Sequence, residues 1–126
     1  MTYQVDPNRG IVYRRLIAAL RFSLQGLKRS WQEESIRVQF VLLLILFPLA
    51  LWLGNSIAER LLLSLCLFAV IIAELLNTAI EVAIDRISTE RHQLSKEAKD
   101  LGSAAVFLAI MCVVFTWAMV LIPRAF

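Results

Sequence analysis

Glu74, Asn77, Glu81 and Asp85 stand in a stretch of chain that otherwise has the composition of a hydrocarbon-spanning helix. Residues 61–73 just upstream are apolar except for Ser64, and the helical pattern continues to Ile84. At about 100° per residue, the four polar side chains fall within an arc of roughly 80° on one helix face. Ionisable groups at bilayer depth are costly, and carboxylates sharing a face also repel one another. A bound cation is the natural compensation, so the stripe reads as an active site. Its surroundings suggest the chemistry. Asp85-Arg86-Ile87-Ser88-Thr89-Glu90-Arg91-His92 follows directly, then Leu94-Ser95-Lys96-Glu97-Ala98-Lys99-Asp100, and the acidic pair Glu33-Glu34 precedes the first apolar stretch. Hard oxygen ligands of this kind suit Mg²⁺, which takes one or two carboxylates together with phosphate oxygens. Basic groups beside such a site point to a phosphate-bearing substrate. There is no G-x-x-x-x-G-K-[ST] loop, because Gly10, Gly26, Gly54 and Gly102 are scattered. Metal, carboxylates and cations would therefore have to hold a nucleotide's phosphates.

The elements that must position these groups are membrane helices. Of the 126 residues, 60% are hydrophobic, and the mean hydropathy of +0.72 excludes an ordinary soluble domain. Residues 36–53, 61–84 and 104–122 are each long enough to approach or cross a hydrocarbon core of about 30 Å. Gly54-Asn55-Ser56 predicts a tight turn between the first two spans, and Pro123 is expected to end the third. The chain reads as a single membrane domain over residues 1–126, without internal repeats and without a secretory signal peptide. Arg9, Arg14, Arg15, Arg21, Lys28, Arg29 and Arg37 precede or open the first span; Arg86, Arg91, Lys96 and Lys99 lie between the second and third. Only Arg60 and Arg124 remain of the 13 basic residues. The positive-inside rule thus makes the N-terminus and the second connection cytoplasmic, and puts the first connection and the C-terminus outside. Residues 11–31 read as an amphipathic helix at the cytoplasmic interface, with Ile17, Leu20, Leu24, Leu27 and Trp31 at helical spacing and basic residues over much of the remaining surface. Packing of that helix on its own bundle is the alternative. The topology accounts for the positive charge behind a pI of 9.2, which leaves no call for nucleic-acid binding.

Several residues also have simpler readings. Cys66 and Cys112 lack metal-type spacing and read as reduced packing residues. His92, the single histidine, reads as a surface residue, and Trp52 and Trp117 as interfacial anchors. Asn77 and Thr78 are of the kind that hold membrane helices together. Asp85 lies near the interface, where an ion pair with Arg86 or another neighbour would account for it without catalysis. A small ion-channel subunit with an acidic pore lining is a reading of a different class, but a pore has no use for the cytoplasmic Lys99-Asp100 pair.

Glu74-x-x-Asn77-x-Ala79-Ile80-Glu81-x-x-x-Asp85-Arg86, followed by Ala98-Lys99-Asp100-x-Gly102-Ser103-Ala104-Ala105-Val106, resembles the prokaryotic diacylglycerol kinases, small three-span membrane enzymes. Ser23-x-x-Gly26-Leu27 and the acidic residue before the first span extend the resemblance over nearly the whole chain. The connection Asp85-Arg86-Ile87-Ser88-x-Glu90-x-His92-x-Leu94-Ser95 is similar to the Gram-negative branch; the undecaprenol kinases of the Gram-positive branch are the competing assignment.

The resemblance implies an all-α membrane protein in which a surface helix precedes three spans and the chain assembles as a homotrimer with sites between subunits. It implies ATP-dependent phosphorylation of diacylglycerol to phosphatidic acid at the bacterial inner membrane. Glu74 matches the catalytic base and Asn77 the active-site amide. Glu81 matches a metal-binding glutamate. A second metal glutamate corresponds to Glu33 when counted back from Arg37, and to Glu34 when counted on from Trp31; Glu33 is preferred, because Arg37 marks the start of the membrane helix. Arg15, Phe22, Glu90, Arg91, His92, Lys99 and Asp100 match nucleotide-contacting positions. Ala19, Ser23, Trp31 and Ser103, with Glu74, match the lipid site. Mg²⁺ is the implied metal and ATP the co-substrate.

Overall fold

The computed structural model describes residues 10–126; Arg9, counted above among the basic N-terminal residues, lies outside them. The described chain is all-helical: α1 (Ile11–Ser30), α2 (Glu34–Leu53), α3 (Ile57–Ile87) and α4 (Gln93–Ala125). It divides into two units, one ending at Glu33 and containing α1, the other running from Glu34 to Phe126 and containing α2, α3 and α4.

In the first unit, Lys28 and Arg29 occupy the last turn of α1, where cations complement the negative end of the helix dipole. The helix closes as Trp31 N donates to Leu27 O at 3.2 Å and Glu33 N donates to Ser30 O at 2.9 Å. Arg29 then reaches forward to pair with Glu33 at 3.0 Å.

The second unit is built around α3, which packs against both α2 and α4. All three helices are long and apolar enough to cross a membrane. Leu63, Leu67, Val70 and Glu74 are buried along α3 at alternating spacings of four and three. This is the seam that keeps one helix face turned toward its neighbours. Continued at the same spacing, it passes through Asn77 and Glu81, and four further residues bring it to Asp85. One face of α3 therefore supplies both the apolar core and the polar stripe, with Glu74 at the handover. On α4 the corresponding positions are Gly102, which is buried, and Lys99, Val106, Ala109 and Val113, which are partly covered. Phe47 of α2 meets Phe68 of α3 edge to face, with ring centroids 5.7 Å apart.

Gly54-Asn55-Ser56 forms the expected turn. Ser56 caps α3 by accepting from Glu59 N at 3.2 Å, and Glu59 accepts from Asn55 N at 2.7 Å, a variant of the reciprocal capping arrangement. Arg60 Nε donates to Gly54 O at 2.9 Å. A Cβ on Gly54 would fall on the side chain and backbone of Arg60, so only glycine allows that approach. Arg124 of α4 pairs with Glu59 and donates to Leu53 O. The two basic residues that stand apart from the other 11 thus clasp the ends of all three helices.

One expectation is corrected. Pro123 does not end α4, which continues to Ala125. Proline forfeits one helix hydrogen bond, but its fixed φ suits the helix and only two residues follow it there. Trp117 does more than anchor an interface: its Nε1 donates to Leu63 O at 3.3 Å. A partly covered indole N–H needs an acceptor, and the Leu63 carbonyl has a second lone pair beyond its helix bond. Trp52 is 79% exposed. Cys66 and Cys112 are free thiols. The α3 and α4 helices outrun the apolar windows of the sequence because polar pairs such as Gln93–Glu97 and Lys96–Asp100 extend α4 beyond the hydrocarbon stretch.

Leu63 is fully buried on the seam of α3. Leu63→Ala is expected to cost about 2–5 kcal/mol, read as a lowered midpoint of unfolding in detergent.

Candidate active site

Glu74 is buried, at 9% exposure, and is the one ionisable side chain so enclosed among the described residues. It lies eleven residues along the seam from Leu63, so the helical period returns it to the face that forms the core. Ser35, in the first turn of α2, faces its carboxylate, and Glu81 lies near enough for the two charges to act on one another. Ser35 was missed in the sequence, where a serine between two charged positions carries no special signal.

The amide of Asn77 links two levels of the site. Its Nδ2 donates to Glu81 Oε1 at 3.3 Å, a four-residue step along one helix face. Its Oδ1 is buried and has no hydrogen-bond partner among the described residues. One further turn along, Asp85 Oδ1 accepts from Lys99 Nζ of α4 at 2.8 Å. Asp85 is therefore paired with a neighbour, and that neighbour is Lys99 rather than Arg86. The Lys99 ammonium is also close enough to Glu81 for their opposite charges to attract.

Beyond Asp85 the α3–α4 connection opens into a cavity of about 640 Å³ whose lining includes Asp85, Glu90, Arg91, His92, Lys99 and Asp100. All the residues assigned from sequence to nucleotide contact in this half of the chain thus come together. Local geometry explains their placement. Ser88 Oγ accepts from Glu90 N at 3.0 Å and turns the connection. His92 Nδ1 accepts from Leu94 N at 3.1 Å and caps α4, so His92 is an N-cap, with Nε2 left to face other partners. The positive end of the α4 dipole lies beside the cavity, a favourable setting for anions. Asp100 pairs with Lys96. Ser103 is exposed while its neighbour Gly102 is buried, because adjacent helical residues point about 100° apart.

In the first unit, Arg15, Ala19, Phe22 and Ser23 are exposed on one face of α1, at spacings of four, three and one. Ile17, Leu20 and Leu24 fall on the other side. Trp31 lies just past the helix and is exposed. Glu33 is held by Arg29, whereas Glu34 opens α2 directly before Ser35.

The donor set can be tested against a metal. No group of three or more His, Cys, Asp or Glu side chains converges among the described residues, so there is no all-protein cage of the kind Ca²⁺ or structural Zn²⁺ requires. Glu81, an exposed carboxylate beside a cavity lined by both acidic and basic side chains, fits a divalent ion that brings most of its ligands with a nucleotide's phosphates.

Comparison with known proteins bears on the same residues. The prokaryotic diacylglycerol kinase family matches residues 21–121. A diacylglycerol kinase of Pseudomonas aeruginosa is 46% identical over 111 residues, covering 86% of this chain and 89% of that protein. The diacylglycerol kinase of Escherichia coli K12 is 42% identical over 110 residues, covering 86% and 90%. One from Helicobacter pylori J99 is 38% identical over 121 residues, covering 95% and 94%. The match spans α2, α3 and α4 and includes the seam from Leu63 to Asp85, the capped connection and the Lys99–Gly102 turn. With three helices long and apolar enough to cross a bilayer, the chain is a membrane protein, a kinase that uses ATP and a divalent metal, and it belongs to the prokaryotic diacylglycerol kinase family.

Proposed function

We propose that the protein transfers the γ-phosphate of ATP to the free hydroxyl of diacylglycerol at the cytoplasmic face of the bacterial inner membrane, producing phosphatidic acid. The observation that carries this reading is the order of groups along one face of α3: a buried Glu74, then Glu81 about 10 Å further along the axis, then the Asp85–Lys99 pair at a charged cavity. Family membership supports the substrate, since the relatives are diacylglycerol kinases, and it sets aside the ion-channel reading.

The roles follow from the positions. The lipid keeps its tails in the bilayer and presents its hydroxyl at the level of Glu74, enclosed by α2 and α3. Glu74 takes the hydroxyl proton as the oxygen attacks phosphorus, the work of a general base. Asn77 holds Glu81 and orients it. Glu81, with Glu33 (or Glu34), would hold Mg²⁺, which when bound offsets charge on the β- and γ-phosphates. Lys99 binds phosphate by exchanging its Asp85 partner, while Glu90, Arg91, His92 and Asp100 line the nucleotide's approach. Arg15 and Phe22 serve the nucleotide, and Ala19, Ser23, Trp31 and Ser103 serve the lipid. The protein's share of catalysis is positioning and a preorganised field. In this reading α1 is an amphipathic helix lying at the cytoplasmic interface, with the N-terminus cytoplasmic and the C-terminus periplasmic. Residues 1–126 act as one membrane domain, assembled as a homotrimer whose sites combine Glu33 of one subunit with the α3 stripe of another.

Glu74→Gln is expected to lower kcat for phosphatidic acid formation by about 10²–10⁴-fold, the usual contribution of a general base, with nucleotide binding retained; an unchanged rate would remove Glu74 from the mechanism. In the same micelle assay diacylglycerol should be consumed faster than undecaprenol. Glu81→Gln is expected to raise the Mg²⁺ concentration needed for half-maximal rate by about tenfold or more, measured at constant ATP. Mixing Glu33→Gln with Glu74→Gln subunits is expected to restore part of the activity that either variant lacks alone. No restoration would mean that each subunit holds a complete site.

A further inference from the structure

Gly102 is the one buried residue of α4, and it sits against Asn77. A Cβ built on Gly102 would collide with Asn77 Oδ1 and would lie 3.4 Å from both Asn77 Cγ and Ile80 Cδ1. The orientation of the amide is dictated from its other side. Asn77 turns its NH₂ toward Glu81, where Nδ2 donates to Oε1 at 3.3 Å. That turn sends Oδ1 toward Gly102 of α4, where it is buried without a hydrogen-bond donor among the described residues. Gly102 presents an α-hydrogen there, in the direction a Cβ would take, which offers a weak C–H···O contact at most. Burying an unpaired amide oxygen is costly. Flipping the amide would give up the Nδ2–Glu81 bond.

From this geometry we infer that Gly102 is a positioning residue for the phosphoryl-transfer site. Its bare backbone leaves the slot that admits the Asn77 oxygen, and the filled slot holds the Asn77 NH₂ on Glu81. The inference rests on the reading of Glu81 as a metal ligand. It differs from a general packing requirement, because many close helix contacts need a small residue without setting the direction of a carboxylate. Gly102 and Lys99 are three residues apart on α4, while Asn77 and Asp85 are eight apart on α3. The two contacts between these helices therefore bracket Glu81: Asn77 on Gly102 below it, Asp85 on Lys99 above it. Glu81 is aimed by α4 through intermediaries. Adding one methyl group at residue 102 would push the amide off its slot, release its bond to Glu81 and leave the carboxylate free to rotate.

The test compares Gly102→Ala, Asn77→Ala and the double variant, each purified in full length in detergent. Three quantities are read: kcat and KM for diacylglycerol, the Mg²⁺ concentration giving half-maximal rate, and the unfolding midpoint. Binding of Mn²⁺ in the presence of a non-hydrolysable ATP analogue, followed by electron paramagnetic resonance, reports the metal site even where turnover is too slow to measure. Gly102→Ala should lower kcat by about tenfold or more, as misplacement of reacting groups does, and should weaken Mn²⁺ binding. KM for diacylglycerol should stay within about twofold, the ordinary limit of additivity. In the Asn77→Ala background the added methyl enters vacated space, so Gly102→Ala should change neither Mn²⁺ binding nor the unfolding midpoint. Should Gly102→Ala alone fail to fold, recovery of folding in the double variant supports the slot and continued failure overturns it. Wild-type kcat and metal dependence in Gly102→Ala would overturn the inference, as would an equal loss in both backgrounds. If Glu81→Gln leaves metal dependence unchanged, the functional reading fails instead, while the coupling of residues 77 and 102 in the unfolding midpoint is decided separately.

Discussion

A polar group on an apolar helix has no water to fall back on, so each must be met by a neighbouring helix or by a ligand. In α3 this obligation falls along one line. Glu74 is met by Ser35 of α2, Asn77 packs on Gly102 of α4, and Asp85 is met by Lys99 of α4. The register of three helices is tied to these meetings. A shift of α4 by a single residue would bring a side chain against the Asn77 oxygen and carry Lys99 away from Asp85.

The same line explains how a small protein can be both stable and reactive. From Leu63 to Val70 the seam of α3 is hydrocarbon against hydrocarbon, and from Glu74 onward it is polar. Packing in the first half holds the helices where the second half needs them. The Arg124–Glu59 clasp, with the Arg124 bond to Leu53 O, fixes the far end of the bundle. Splaying of the helices is thus resisted at one end by the clasp and at the other by the Asp85–Lys99 pair. The cavity beyond Asp85 is left to the connection between α3 and α4, whose turn is set by Ser88 and whose helix is started by His92.

A nucleotide site without a glycine loop has to obtain its cationic and hydrogen-bonding groups from elsewhere. In the proposed site they come from the capped start of α4, from Lys99 and from the charged residues of the connection. Lys99 already carries a carboxylate partner, so phosphate binding at Lys99, as proposed, is an exchange of anions rather than the capture of a bare charge. Exchange of this kind limits the electrostatic cost of an empty site.

Much of this was legible in the residues alone. The lengths of the apolar runs and the Gly54-Asn55-Ser56 turn determine three long helices, and the 100° helical period puts Glu74, Asn77, Glu81 and Asp85 on one face. Residue type and motif pointed to phosphoryl transfer. What only the tertiary structure decided was which helix meets which polar group. Sequence periodicity gives the angle of a side chain about its own axis, but it says nothing of the rotation and axial shift of the next helix. The partnership of Asp85 with Lys99, the place of Ser35 before Glu74, the turn of Trp117 toward Leu63 O and the slot at Gly102 all depend on that rotation and shift. They are set by packing between helices, where contacts distant in sequence select one register among many that the local pattern would allow.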